Sequence, residues 1–175
     1  NSSAAMAAAQ LIRQCAKTAF WTFPSFMFIN DQIIQVTRIQ GDSMQPTLNS
    51  KSRTSDDFVL VRKAWYKPDR GDVVIAKSPT APRELIVKRI IGLPGDTVMT
   101  TRTRGGYGMR RIPKGHCWLE GDNQLASHDS NSFGPAPLGL IEGKVMCICW
   151  PPSRLGVVHQ VERDATRITK TLSPS

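Results

Sequence analysis

DFVLVRKAWYKPDRGDVVIAKSPTAPRELIVKRIIGLPGDTVMT, residues 57–100, decides the fold. Four short apolar runs stand in it, at 57–62, 72–77, 85–91 and 96–100. Each is rich in Val, Ile or Leu, and each is too short for a helix of ordinary length. Turn formers separate them: Pro68 to Gly71, Pro79 to Pro82, and Pro94-Gly95. The same texture extends outward. IIQVTRIQ at 33–40 precedes the stretch, and HCWLE at 116–120 and KVMCICW at 144–150 follow it. No helical stripe of useful length follows Pro46, so residues 35–152 read as a mainly β domain. Thr101 to Gly108, rich in Gly and Arg, reads as a hairpin tip. The polar tail at 153–175 reads as partly disordered.

The bulk numbers agree. Gly and Pro supply 13 and 12 of the 175 residues, which argues against a helical bundle. A hydrophobic content of 40% is too high for wholesale disorder. The net charge of +9 points to an acidic partner, either nucleic acid or an anionic membrane. Cys15, Cys117, Cys147 and Cys149 include no C-x-x-C. Cys147 and Cys149 read as thiols on one strand face rather than as metal ligands with His116 or His128. No metal or cofactor is expected.

The N-terminal segment, residues 1–34, has a different character. TAFWTFPSFMFI at 18–29 carries no charge, and Pro24 interrupts it. Either a single membrane helix spans Ala16 to Ile34, or the segment is a core or interfacial helix. Arg13 and Lys17 lie before it and Asp31 after it, so a span would leave the rest of the chain across the membrane from the N-terminus.

Three polar segments are candidates for chemistry. In GDSMQPTL, 41–48, Gly41 permits close backbone approach, Pro46 stiffens the exit, and Met44 and Leu48 are available to an apolar substrate or a membrane. In IVKRIIGLPGD, 86–96, Lys88 and Arg89 point to opposite faces of a strand. Lys88 then either snorkels at a sheet edge or lies against apolar surface, where desolvation favours the neutral amine that serves as a general base. GDNQLASHDSNSFGP, 121–135, is dense in turn formers and short polar side chains. His128 beside Asp129 is poorly placed for a Ser-His-Asp triad, and no G-x-S-x-G elbow exists.

In order and spacing, SMQPTL (43–48), RGDVVIAKSP (70–79), VKRIIGLPGD (87–96) and GDNQLASHDSNSFG (121–134) resemble the boxes of the type I signal (leader) peptidases. The resemblance covers roughly residues 15–152, and the ending SFGPAPLGLIEGKVMCICWPP is most similar to the mitochondrial inner membrane branch. It implies a signal-peptidase-like β domain of folded antiparallel sheets with one N-terminal membrane-anchoring helix. It implies Ser43 as nucleophile, Lys88 as general base, Ser127 orienting the amine, and Asp129 as a structural acid, with Gly41 and Met44 supporting. The Ser43 N–H would be one oxyanion donor. In some members a serine two residues before the nucleophile supplies the second; Gly41 stands there. Asp129 is often followed two residues on by an arginine partner; Asn131 stands there. The implied partners are precursor proteins with sorting peptides, a homologous peptidase subunit and the lipid bilayer, with the catalytic domain facing the intermembrane space. Two other functions fit parts of the sequence. A catalytically silent subunit would account for Gly41 and Asn131. A basic nucleic-acid binder would account for Arg102 to Lys114, but aromatic residues are only 7%, which leaves little for base stacking, so no nucleic acid is expected.

Overall fold

The computed structural model describes residues 10, 12–15, 17–18, 20–22, 33–49, 56–100, 108–160 and 168–169. Eleven strands stand in it: β1 (Ile34–Arg38), β2 (Phe58–Arg62), β3 (Val73–Lys77), β4 (Leu85–Gly92), β5 (Thr97–Met99), β6 (Met109–Arg111), β7 (His116–Glu120), β8 (Ala136–Pro137), β9 (Ile141–Trp150), β10 (Gly156–Val157) and β11 (Ile168–Thr169). A single-turn helix, α1, covers Ser130–Phe133. The larger sheet runs β1-β2-β9-β3-β4-β7-β8, with β10 on β9, and a three-stranded sheet runs β11-β5-β6. All strand pairs are antiparallel. The chain is mainly β, as the turn-punctuated apolar runs predict.

The seven strands read from the sequence are present, with β9 starting three residues earlier than KVMCICW, at Ile141. Four more, β6, β8, β10 and β11, are two or three residues long, too short for alternation to reveal them. β5 and β6 pair from Thr97–Arg111 to Met99–Met109, so a hairpin flanks the Gly- and Arg-rich stretch, whose residues 101–107 lie outside the described residues. In the tail, where partial disorder is the sequence expectation, Val157 pairs with Cys147 and Ile168 with Val98. These strands form because the open edges of β9 and β5 satisfy the tail's backbone groups, and Ile168 adds its side chain to the cluster around Val98 and Ile112. Residues 12–15, 17–18 and 20–22 are helical. No helix among the described residues is long and apolar enough to cross a membrane. Residues 16, 19 and 23–32 of the expected span lie outside them.

Three buried clusters hold the fold. Val59, Val61, Val73, Ile75, Val145 and Ile148 pack under β2, β3 and β9 and take in Met44 and Leu48 from the loop after β1. Val74, Ala76, Ile90, Cys117, Leu119 and Ala136 form a second cluster, and Ile91, Val98, Ile112 and Trp118 seat the small sheet on the large one. Fully burying a side chain of this size contributes about 1.5–3 kcal/mol.

Two pairings position the site. β4 lies along β3 from Leu85 to Arg89, with Lys88 opposite Val74, but it meets β7 only from Arg89 onward. The stretch Leu85–Lys88 therefore has one edge without a strand partner among the described residues. β1 likewise ends the sheet order, with one edge unpaired among the described residues.

Candidate functional site

The loop 41–49 is set by its ends. Gly41 has φ +91°, a backbone conformation that L side chains rarely adopt, so a serine in its place would be strained although the space around it is open. At the other end, the Asn49 amide donates to the carbonyls of Ile39 and Gly41 at 2.9 and 3.2 Å, and its oxygen accepts from Asp57 N at 2.9 Å. Met44 and Leu48 are 2% and 0% exposed, so they anchor the loop from below; Leu48 is core rather than a surface contact for substrate or membrane. Ser43 is left half-buried on the upper side.

A cavity of about 300 Å³ opens there, lined by Ser43 and Met44 from the loop, Thr37 from β1, and Val87 and Lys88 from β4. Lys88 is 4% exposed. Burial holds its amine below the ordinary lysine value, and the Asp129 carboxylate opposes that shift. The strand neighbours do not divide as a one-in, one-out reading of adjacent cations expects, because Arg89 is buried too, at 1%. The reason is that β4 is covered on both sides and the two cations are treated differently. Arg89 donates to both Asp122 oxygens at 2.9 and 2.7 Å and to the carbonyls of Gly71 and His159. A bidentate carboxylate and two carbonyls keep a guanidinium charged in the interior. Lys88 has no ion pair among the described residues, so its burial falls on the charged form.

The third polar segment closes over this pair. Asn123 N donates to Ser43 O at 2.9 Å, and Thr47 Oγ1 donates to Asp122 Oδ2. A Cβ built on Gly121 would lie 2.3 Å from Ser127 Oγ and 2.5 Å from Ser43 O, which brings residues 43, 121 and 127 to one point. Ser127 Oγ is buried and has no hydrogen-bond partner among the described residues. Asp129, 4% exposed, caps α1 and accepts from Gly121 N and Asn131 N, each at 3.1 Å. Asn131 does here what an arginine would do: its amide donates to Asp129 Oδ1 at 3.1 Å and to Glu120 Oε1 at 3.0 Å. His128 is exposed and packs edge-on against Phe133, 5.6 Å between centroids.

Sequence reasoning missed the residues that frame the loop. Arg154 pairs with Asp57 at 2.9 Å and donates to Thr47 O at 3.1 Å, so the tail grips the loop 41–49 at the same residue whose hydroxyl reaches Asp122. No local pattern links residues 47, 57, 122 and 154. Arg154→Ala should cost about 3 kcal/mol in a denaturant melt, because it leaves the fully buried Asp57 carboxylate without its counter-charge. Arg154→Lys should recover only part, keeping the charge but losing the fork that reaches Thr47 O. A melt unchanged in Arg154→Ala would remove this clamp.

The sequence matches the family described as "Signal peptidase, peptidase S26" over residues 12–105 and 100–150. It is 42% identical over 139 residues to the Danio rerio protein named mitochondrial inner membrane protease subunit 2, covering 77% of this chain and 74% of that one. The Saccharomyces cerevisiae protein of the same name is 42% identical over 138 residues, covering 76% and 77%. The Homo sapiens protein named mitochondrial inner membrane protease subunit 1 is also 42% identical, over 128 residues, covering 71% and 74%. Among solved structures, a signal peptidase I from Enterococcus faecalis aligns at 24% identity and a TM-score of 0.39, covering 45% of this chain and 97% of that one. That overlap is too loose to carry a geometric comparison.

Proposed function

Because the chain belongs to the signal peptidase family, peptidase S26, we propose that it is a serine endopeptidase in which Ser43 is the nucleophile and Lys88 the general base. The observation that carries the reading is that Ser43 shares a cavity with a buried lysine whose pKa burial lowers. A protonated amine cannot accept a proton from Ser43, and burial favours the form that can.

The steps follow from these atoms. Neutral Lys88 Nζ takes the Ser43 Oγ proton as Oγ attacks the scissile carbonyl. The oxyanion is met by the Ser43 N–H, and a donor of this kind is worth about 3–4 kcal/mol. Lys88 then returns the proton to the leaving amine. Water enters, Lys88 takes its proton as the oxygen attacks the acyl carbonyl, and Lys88 gives that proton to Ser43 Oγ as the ester bond breaks and the acid leaves. Ser127 Oγ, whose hydrogen-bonding capacity is unused among the described residues, is the group that would orient the amine once substrate is seated, and the Asp129 carboxylate holds the turn by accepting from Gly121 N. The free edges of β1 and of Leu85–Lys88 border the same cavity, so an extended peptide binds there by strand addition.

In this reading residues 1–34 anchor the protein, 35–152 form the catalytic domain and 153–175 the tail. The relatives' names extend the proposal to the mitochondrial inner membrane, with the catalytic domain on the intermembrane-space side, a homologous subunit as partner and N-terminal sorting peptides as substrate.

The test is the pH dependence of precursor cleavage by the purified protein. kcat/KM should rise with pH along a limb centred below the ordinary lysine value of 10.5 and then level off, because only the neutral amine works. Activity that falls across that range, or a limb at 10.5 itself, contradicts the assignment.

A further inference from the structure

The cavity beside Ser43 does not end at Leu85. A second cavity, of about 450 Å³, shares Thr37, Ile75 and Leu85 with it, so the two form one groove along β1 and β4. The character of the lining changes along the way. Lys63, Lys77 and Arg83 line the second cavity, against one carboxylate, Glu142. We propose that this second stretch is a cationic subsite selecting substrates with an acidic residue about three to five positions from the scissile bond. The proposal rests on the peptidase reading above and adds a substrate feature to it.

The spacing comes from the strand. Leu85 lies three residues from Lys88 on β4, about 10 Å at a strand's rise of about 3.3 Å per residue. An extended peptide with its scissile carbonyl at Ser43 enters the second cavity after about three residues. Lys77 and Arg83 are the charges it meets. Lys77 pairs with Glu142 at 3.0 Å, but the two side chains are 51% and 37% exposed, and such a pair is readily exchanged for a substrate carboxylate. Arg83 is exposed on the turn between β3 and β4. That turn is held by Ser78, whose N–H donates to Glu84 O at 2.9 Å and whose Oγ accepts from Ala81 N at 3.2 Å. The cation is therefore presented by a braced turn. Glu84 stands beside Arg83 in the chain, and Asp56 is paired with Arg38.

The experiment reads binding, so that it does not depend on the dyad. Ser43→Ala protein is titrated by fluorescence anisotropy with labelled precursor peptides carrying Asp, Asn or Lys at positions three to five on either side of the cleavage point. On one side, Asp peptides should bind about tenfold more tightly than Lys peptides, and the difference should shrink in high salt. Lys77→Glu with Arg83→Glu should remove or invert the preference. Both side chains are exposed, so the melting temperature should hold, and Lys77→Gln with Arg83→Gln provides a milder second variant. Affinities equal within twofold on both sides overturn the subsite, as does a preference that survives both double variants. Loss of the peptidase reading would appear instead in the pH profile and in the active-site variants, with this binding difference intact.

Discussion

Ser43→Ala and Lys88→Met, made singly and together, are each expected to lower precursor cleavage by at least about 10⁴-fold, with the double variant no worse than either single one. The expectation follows from a proton transfer that needs both atoms at once. Without Oγ there is nothing to attack with, and without the amine the hydroxyl keeps its proton. The measurement is single-turnover cleavage by purified variants, and full activity in either one would end the dyad assignment. A thermal melt separates chemistry from folding because the sign of the stability effect is fixed. Burial lowers the folded pKa of Lys88 beneath its unfolded value of 10.5. As pH falls from 10.5 toward the lowered value, the unfolded chain binds the proton and the folded one does not, so wild type loses stability across that window. Below the window the penalty is constant. Lys88→Met escapes it, and the variant should melt no lower than wild type at neutral pH, with its relative advantage shrinking as pH approaches 10.5. A variant at least as stable and inactive marks the amine as chemical, not architectural.

Gly121→Ala should be nearly as damaging, with an expected loss of about 10²-fold or more in kcat. The new methyl group would lie 2.3 Å from Ser127 Oγ, 2.6 Å from Ser127 Cβ and 2.5 Å from Ser43 O. Rotation about χ1 relieves only the Oγ contact; the Ser127 Cβ is fixed to its backbone, and the third contact is the backbone carbonyl of Ser43, held by Asn123 N at 2.9 Å. Relief requires the loop 41–49 to move, and a displacement of about 1 Å at reacting atoms costs about 10²-fold. Ser127→Gly in the same background removes the side-chain clash and leaves the backbone one. It should restore part of the melting temperature and little of the rate. Near wild-type cleavage in Gly121→Ala would show that the loop yields without consequence.

How much of this could be read beforehand depends on the range of the interaction. Strands β2, β3 and β4 are legible because each carries its own apolar run and its own turn signals. Lys88 is legible as a charge in an apolar run, though the run alone leaves it between a snorkelling edge residue and a buried base. Arg89 is not, because its burial rests on Asp122, 33 positions away, and two adjacent cations in a strand say only that some acid must answer one of them. Thr47, Asp57 and Arg154 are hidden for the same reason. Ser127 and Asp129 could be found only by resemblance, since turn chemistry at 121–135 looks the same with or without a site. β10 and β11 are two residues long, too short for side-chain alternation to mark them, although Ile168 does pack on the Ile91–Trp118 cluster.

The position of β9 in the large sheet has a temporal consequence. In the strand order of the large sheet, β2, which leads to the Ser43 side of the groove, and β3, which leads to the Lys88 side, are joined through β9. A growing or translocating chain thus contains Ser43 and Lys88 long before Ile141–Trp150 arrives between β2 and β3. On the proposed dyad, activity waits until synthesis is almost over.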